Sequence, residues 1–217
     1  MSLRNYGVWA GALAALAWAT GARIVGASPP SAGTSTVPHC VALVGSTNGV
    51  ADRSGEFVVL VHDLSNNPLA GRTTVLDFGS CAGVAIGDAT SQTFPGVSVD
   101  CTRHRVSAVS DATGTARFRI VGGATPGAPG PSAGCVLISA QNLPLGTASV
   151  QIYDLDGASG VSGNDLSLWM ADFFAAGNPE RSRSDYDCNG SVGGNDLALW
   201  LGVFNAGGSA SSASACP

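Results

Sequence analysis

The sequence predicts a mainly β protein, with an antiparallel β-sandwich followed by a small α module of two helices. Short apolar runs separated by turn residues fill residues 38–153, and several alternate with a period of two. No stretch between residues 38 and 150 keeps a helical period. Residues 154–206, by contrast, contain one segment twice, since Asp185 repeats Asp154 after 31 residues. Each copy is an acidic loop followed by an amphipathic helical pattern.

The chain begins with the pattern of a secretory signal peptide, which we assign to residues 1–27. Arg4 supplies a positive charge, an uncharged apolar stretch follows, and Val25-Gly26-Ala27 offers small residues for cleavage, with Ala22 as the alternative point. The stretch is short for a membrane span of about 20 residues, which disfavours an uncleaved anchor. We therefore expect a secreted or cell-surface protein with no membrane span after cleavage. Residues 28–37 are predicted to be a flexible leader because they are rich in Ser, Pro and Thr.

Charge and cysteine usage narrow the function classes. Only 12 % of the 217 residues are charged, and a net charge of −5 with 10 Lys and Arg argues against nucleic-acid binding. The six cysteines are an even number, which favours disulfides in an exported chain. Six cysteines allow about 15 complete pairings. The pairing that we expect is Cys81–Cys101, Cys40–Cys135 and Cys188–Cys216.

The β region is predicted to contain about seven short strands, as a sandwich requires. Residues 57–61 form an apolar β-branched run typical of a buried strand, and residues 116–120 alternate between apolar and charged. Residues 79–100 and 122–134 are Gly-rich and are predicted to be loops. The predicted strands are 41–44, 57–61, 74–78, 106–108, 116–120, 135–138 and 148–152.

Three segments of this region resemble bacterial immunoglobulin-like domains of the invasin/intimin kind. The segments are VVLVHDLSNNPLAGRTTVLDF, SDATGTARFRI and GTASVQIYDLDG. The resemblance covers about half of the chain and implies an Ig-like fold that acts as a spacer or adhesive module, not as a catalyst. The residues that match the family pattern are Asp63, Asn67, Pro68, Gly71, Asp111, Gly114 and Ala116.

The second acidic loop has the spacing of a Ca²⁺ site. Oxygen-bearing side chains stand at its first, third and fifth places, glycine stands at the sixth, and a carboxylate closes the loop at the twelfth. Ca²⁺ prefers six to eight hard oxygen ligands, and a glycine permits the sharp bend around the ion. Gly193 has no side chain to offer as a ligand, so a water molecule is expected to fill that place around the ion. The predicted ligands are Asp185, Asp187, Asn189, Ser191 through its carbonyl, and Asp196.

The first acidic loop departs from this pattern. Ala158 replaces the fifth-place ligand and Ser159 replaces the turn glycine, although Gly157 and Gly160 offer bends elsewhere. We expect weaker Ca²⁺ binding here, or a loop held by hydrogen bonds alone. The candidate metal-site residues are Asp154, Asp156, Gly160, Ser162 and Asp165.

Two loop–helix units with a closing Asp resemble the dockerin family, and the resemblance covers residues 152–206. It implies docking to a cohesin-type module, with two equivalent binding faces formed by the residues before each closing Asp. The alternative is that Asn164 and Asn195 only cap the helices. The partner-binding residues implied by the resemblance are Gly163, Asn164, Gly194 and Asn195.

Both helical segments carry an apolar stripe at helical spacing. We expect the two helices to pack on each other and to bury these residues, because a small module has little other core. Carbohydrate stacking by Trp169 or Trp200 is the alternative. Residues 207–217 are predicted to be a flexible tail. The stripe comprises Leu166, Trp169, Met170, Phe173 and Phe174, and then Leu197, Trp200, Leu201 and Phe204.

The sequence offers no catalytic constellation. Glu56 and Glu180 are the only glutamates, the three histidines are scattered, and the aspartates cluster in the two loops. We therefore expect a secreted, non-catalytic, Ca²⁺-binding interaction protein. The alternative is a glycan-binding or cell-surface structural protein in which the loop–helix pair is only a clamp.

Overall fold

The structure, a computed structural model, describes residues 28–47, 50–158, 160–175, 177–206 and 216. Within these ranges it contains twelve β-strands and two α-helices. The predicted signal peptide and all of the predicted tail except Cys216 lie outside the described residues. The strands are β1 Cys40–Val44, β2 Ser46–Thr47, β3 Val50–Ala51, β4 Phe57–Leu60, β5 Thr73–Asp77, β6 Val84–Ile86, β7 Val97–Asp100, β8 Arg105–Val109, β9 Thr115–Phe118, β10 Ile120–Ala124, β11 Val136–Ala140 and β12 Leu143–Ile152. The helices are α1 Gly163–Phe174 and α2 Gly194–Asn205, and 3₁₀ turns cover Arg53–Gly55, Cys101–Arg103 and Pro179–Ser184.

Eight strands form one mixed sheet in the order β6-β10-β1-β12-β11-β5-β8-β7. The prediction of a mainly β protein with a small α module is therefore confirmed, but the sheet is not wholly antiparallel. Strand β1 runs parallel to both of its neighbours, with Leu43 opposite Ile120 of β10 and opposite Ile152 of β12. Residue alternation reveals that a segment is a strand but not its direction, so the sequence could not show this pairing.

A separate antiparallel pair, β4 and β9, contributes to the same core. Phe57 of β4 stacks on Phe118 of β9 with ring centroids 5.4 Å apart. Val59, Ala116 and Phe118 are fully buried, whereas Arg117 is exposed, which confirms the predicted alternation of β9. Because the buried side chains of this pair and of the large sheet form one cluster, the core lies between them.

Residues 28–37, which were predicted to be a flexible leader, are hydrogen-bonded to the end of β4. Thr36 forms a β-bridge with Leu60, and the Ser31 N–H donates to the His62 carbonyl at 2.9 Å. The next turn is held by Asp63, whose carboxylate accepts from the Asn67 N–H at 2.9 Å. This bond, more than any other, lowers the pKa of Asp63.

The disulfides are Cys40–Cys188, Cys81–Cys135 and Cys101–Cys216, so all three expected pairings were wrong. The pairing depends on which strands become neighbours, and the order of the sheet is not visible in the sequence. Cys101 directly follows β7, and the Cys216 N–H donates to the Ile86 carbonyl of β6 at 2.7 Å. The third disulfide therefore links the two outermost strands of the large sheet.

The helical segment packs on the end of β12. The Tyr186 hydroxyl donates to the Ile152 carbonyl at 2.8 Å, and its ring stacks on Tyr153 with centroids 4.5 Å apart. Trp169 and Trp200 are 2 % and 0 % exposed and belong to the same buried cluster as the sheet. Among the described residues, neither helix has the length and apolarity needed to cross a membrane.

The predicted burial of the helical stripe is confirmed for the tryptophans and wrong for its outer residues. Phe174 is 72 % exposed. Each tryptophan occupies the core, and the phenylalanine one turn later stacks on the outer side of its indole ring. The stripe residues that remain substantially exposed are Met170, Phe173, Phe174, Leu201 and Phe204.

Two candidate metal centres

The two acidic loops repeat the same hydrogen bonds after 31 residues. In the first, Asp165 Oδ1 accepts from the Asp156 N–H at 2.9 Å. In the second, Asp196 Oδ1 accepts from the Asp187 N–H at 3.0 Å. The other oxygen of each closing aspartate accepts from the residue just before its helix, Ser162 or Gly193, at 2.7 Å. Each closing aspartate is therefore fully buried and joins its loop to the start of its helix.

The carboxylates of each loop converge on one centre. In each loop the first, third and twelfth residues contribute one oxygen, and these oxygens all lie within 4.8 Å of one another. The donor set contains oxygen only, which suits hard cations such as Ca²⁺. The two trios are Asp154, Asp156 and Asp165, and Asp185, Asp187 and Asp196.

Asp154 in the first loop has a carboxylate oxygen that the described residues do not satisfy. The side chain is 2 % exposed. Its Oδ1 accepts from the Ala158 N–H at 3.1 Å, whereas Oδ2 is buried with no hydrogen-bond partner among the described residues. Burial, followed by the charges of Asp165 and Asp156, raises the pKa of Asp154 to about 6. A buried, unpaired carboxylate oxygen is costly, and a bound cation would remove that cost.

In the second loop, backbone N–H groups of the loop itself bond to both oxygens of the first carboxylate. Asp185 Oδ1 accepts from the Asn189 N–H at 3.1 Å, and Oδ2 accepts from the Gly190 N–H at 2.8 Å. Burial raises the pKa of Asp185, and the Gly190 bond opposes that rise. Gly190 has φ +86°, the left-handed conformation predicted for the sixth place. The loop with the better ligand spacing thus lacks the orphaned oxygen found in the other loop.

Two further bends shape the first loop. Gly157 has φ +68° and Gly160 has φ +77°, so both adopt the left-handed conformation that replaces the missing glycine at the sixth place. Ala158 contributes only its N–H, which bonds to Asp154 and Asp156. The first loop therefore has no side-chain oxygen at its fifth place, where the second loop has Asn189.

The serines of the two loops serve different purposes. Ser162 is the N-cap of α1, because its Oγ accepts from the Asn164 N–H at 3.3 Å and donates to Asp165 at 2.9 Å. Ser191 Oγ instead donates to Asn189 Oδ1 at 2.5 Å. The capping alternative for Asn164 and Asn195 is wrong, since both are inside their helices and the caps are the residues two positions earlier.

Both helices present an uncharged outer face. The only charged residues in α1 and α2 are Asp165, Asp172 and Asp196, and all three are buried. We call the exposed large apolar side chains of the two helices the apolar helix surface. The four residues implied as partner-binding are exposed at the helix starts. The apolar helix surface consists of Met170, Phe173 and Phe174 on α1, and Leu199, Leu201 and Phe204 on α2.

Asp172 is a buried charge that the sequence reasoning missed. Its carboxylate accepts from Arg183 Nε at 2.8 Å and from Ser184 Oγ at 2.7 Å, which ties α1 to the 3₁₀ turn Pro179–Ser184. The second copy has the buried Val203 at the equivalent position. This break in the repeat is the signal that could have identified it.

The tryptophans do not support the alternative of carbohydrate stacking. Both indoles are buried, so neither ring offers a free face to a sugar.

No family model, no curated protein and no solved structure matches this chain.

Proposed function

We propose that the chain is a secreted, non-catalytic, Ca²⁺-binding interaction protein whose helical pair docks onto a protein partner. The observation that carries the proposal is the unpaired Asp154 Oδ2, buried within a trio of carboxylates. Three carboxylates within 4.8 Å repel one another, and Ca²⁺ would offset that repulsion and satisfy the free oxygen.

Calcium fits the residues of both loops. Asp154, Asp156 and Asp165 would hold one ion. In the second loop Asp185, Asp187, Asn189 and Asp196 would hold another, with the Ser191 carbonyl as a further ligand. The bound ions would supply no chemistry beyond fixing the loops and, through the closing aspartates, the starts of both helices.

The apolar helix surface supports a docking role. A solvated surface helix normally carries charged residues on its outer face. Neither α1 nor α2 has an exposed charged residue, so the surface suits an uncharged, apolar face of a protein such as a cohesin-like module. Because each helix carries its own patch, two equivalent docking orientations are expected.

The β region would serve as an Ig-like spacer or adhesive module. The core between β4–β9 and the large sheet supports a sandwich-like arrangement. Three disulfides support export to an oxidising compartment.

Calorimetric titration of the metal-free protein with Ca²⁺ tests the metal part of the proposal. We expect two binding events per chain, and Asp154→Asn should weaken one of them by about tenfold or more. Asp111→Asn removes an exposed carboxylate outside the loops and should change neither event. A wild-type protein that binds no Ca²⁺ would refute the proposal.

Pull-down by a panel of cohesin modules, with Ca²⁺ or with chelator, tests the docking part. Phe174→Ser and Leu201→Ser should each remove one docking orientation, and the double variant should lose binding. Leu64→Ser is the control, because Leu64 is 83 % exposed but lies in the β region. Equal capture of the wild type and the double variant would contradict a helix-mediated interface.

Glycan binding by the β region is a second candidate, favoured by a groove of 390 Å³ on the large sheet. Its lining is rich in groups that hydrogen-bond sugars, among them Asp77, Arg105, Ser107 and Asn142. The full chain would be applied to a glycan array beside an Arg105→Ala variant. Binding by the wild type alone would support this function, and a blank array would remove it.

A further inference from the structure

The fourth residue of each acidic loop has a left-handed backbone. Gly157 has φ +68° and Cys188 has φ +61°, although cysteine rarely adopts this conformation. Both residues lie against the β region. The two loops therefore contact the β region through the same position of the loop, the fourth, and also share a ligand pattern.

Strand β10 holds the first loop through backbone contact. The Ala124 N–H donates to the Asp154 carbonyl at 3.0 Å. A Cβ atom at Gly157 would lie only 2.1 Å from the Ala124 carbonyl oxygen, so only glycine fits this close approach. The first loop is thus attached without a covalent bond.

The second loop is anchored by alternate residues. Cys188 is bonded to Cys40, the first residue of β1, and Gln151 Nε2 of β12 donates to its sulfur at 3.0 Å. Tyr186, at the second place, bonds through its hydroxyl to Ile152 and stacks on Tyr153. The second and fourth places of this loop therefore contact the β region, while the first, third and fifth places carry oxygen ligands.

We propose that Cys188, through its bond to Cys40, and Tyr186 are positioning residues of the second Ca²⁺ site. This inference rests on the proposed function. The two anchors hold Asp185, Asp187 and Asn189 in the bound arrangement before the ion arrives, so the ion does not bear the cost of ordering the loop. Residues that orient metal ligands from behind typically change metal affinity by about 10- to 100-fold when they are replaced.

The test is a Ca²⁺ titration of the full chain followed by NMR, in which each loop has its own reporter. The Gly190 N–H bonds to Asp185 and reports on the second loop, whereas the Ala158 N–H bonds to Asp154 and reports on the first. In the double variant C40S/C188S we expect the second loop to bind about tenfold more weakly, or worse. The first loop should change by less than about threefold, since its anchors on β10 are intact.

Two further variants keep the test decisive. C81S/C135S removes a disulfide that includes no residue of either loop and should leave both affinities unchanged. Tyr186→Phe removes one hydrogen bond but keeps the stacked ring, and should weaken the second loop alone by about fivefold. If C40S/C188S does not fold, the Tyr186→Phe result decides whether the anchors position the second site.

The outcomes separate the two proposals. A wild type that binds Ca²⁺ at both loops, with an unchanged second loop in the anchor variants, overturns the positioning role and leaves the proposed function intact. Equal weakening of both loops indicates general loosening of the fold and also overturns it. A wild type without Ca²⁺ binding overturns both proposals.

Discussion

The indole N–H of Trp200 donates a 3.2 Å hydrogen bond to the carbonyl of Tyr153, the residue that follows β12. Trp200 lies in α2, yet its ring is buried in the same cluster as Leu43 of β1. The second helix and the β region therefore share one core. This arrangement differs from two independently stable modules joined by a linker.

Removal of Ca²⁺ should lower the melting temperature of the whole chain in one transition. At a free Ca²⁺ concentration of 100 times the Kd, each bound ion stabilises the folded state by about 2.7 kcal/mol. Because the helices and the sheet share one core, loss of this stabilisation should destabilise the whole fold. Hydrogen exchange of β11 and of α2 should accelerate together when chelator is added. Acceleration of α2 with an unchanged β11 would show that the helical part opens alone.

Trp200→Phe should destabilise the protein more than Trp169→Phe. Both changes remove the same atoms from buried sites, but only Trp200 loses a hydrogen bond, because the Trp169 Nε1 is buried without a partner among the described residues. The Tyr153 carbonyl would be left unpaired, which costs about 1–2 kcal/mol beyond the Trp169 variant. Urea denaturation of the two variants measures the difference. Equal free energies of unfolding would contradict the role of this bond.

Calcium binding at the first loop should weaken as the pH falls through about 6, the raised pKa of Asp154. Without metal, the folded protein holds this proton between the unfolded pKa of about 3.9 and the folded value, so its stability decreases as the pH rises across that window. Ca²⁺ requires the charged carboxylate and reverses the trend. At pH 6 binding should release about half a proton from this group.

Calorimetry in two buffers of different ionisation enthalpy counts these protons. Asp154→Asn is the matched variant, because it removes the titrating group and should remove its share of the release. A binding enthalpy of the wild type that is independent of the buffer at pH 6 would contradict the prediction.

Asp172→Asn should be strongly destabilising. The Arg183 side chain is 13 % exposed, and without the carboxylate its charge is buried and unpaired, a loss of about 3–5 kcal/mol. The double variant D172V/R183L carries at position 172 the valine of the second copy and removes the unpaired charge, so it should be more stable than D172V alone. Thermal melts of D172N, D172V, R183L and the double variant test this, and additive losses in the double variant would argue against a coupled pair.

The sequence predicted strands well where one face is buried, and poorly where glycines form them. Ala116 and Phe118 alternate with exposed neighbours, so their period of two was informative. Gly122 and Gly123 were predicted to be loop, yet they lie in β10. A Cβ at Gly122 would lie 2.5 Å from the Ala85 carbonyl, so this strand needs glycine for a close approach that no propensity reveals.

In the acidic loops, too, local features could be predicted from the sequence and contacts with distant strands could not. The spacing from Asp185 to Asp196 was sufficient to predict that the carboxylates of Asp185, Asp187 and Asp196 converge, because these residues are local in sequence. The orphaned oxygen of Asp154 was not predictable, since it depends on burial against β10, where Gly123 lies beside it. The partner of Cys188 was missed for the same reason, because Cys40 becomes its neighbour only after β1 inserts between β10 and β12.

Two disulfides overlap along the chain, and this overlap determines what a single proteolytic cut would do to the protein. Cys40–Cys188 spans most of the molecule, and Cys101–Cys216 extends beyond it to the last cysteine. A single cut anywhere between Cys40 and Cys216 therefore leaves both fragments in one covalent molecule. Nicked protein would keep its helical pair covalently attached to the β region, and the two fragments could separate only after the disulfides are reduced.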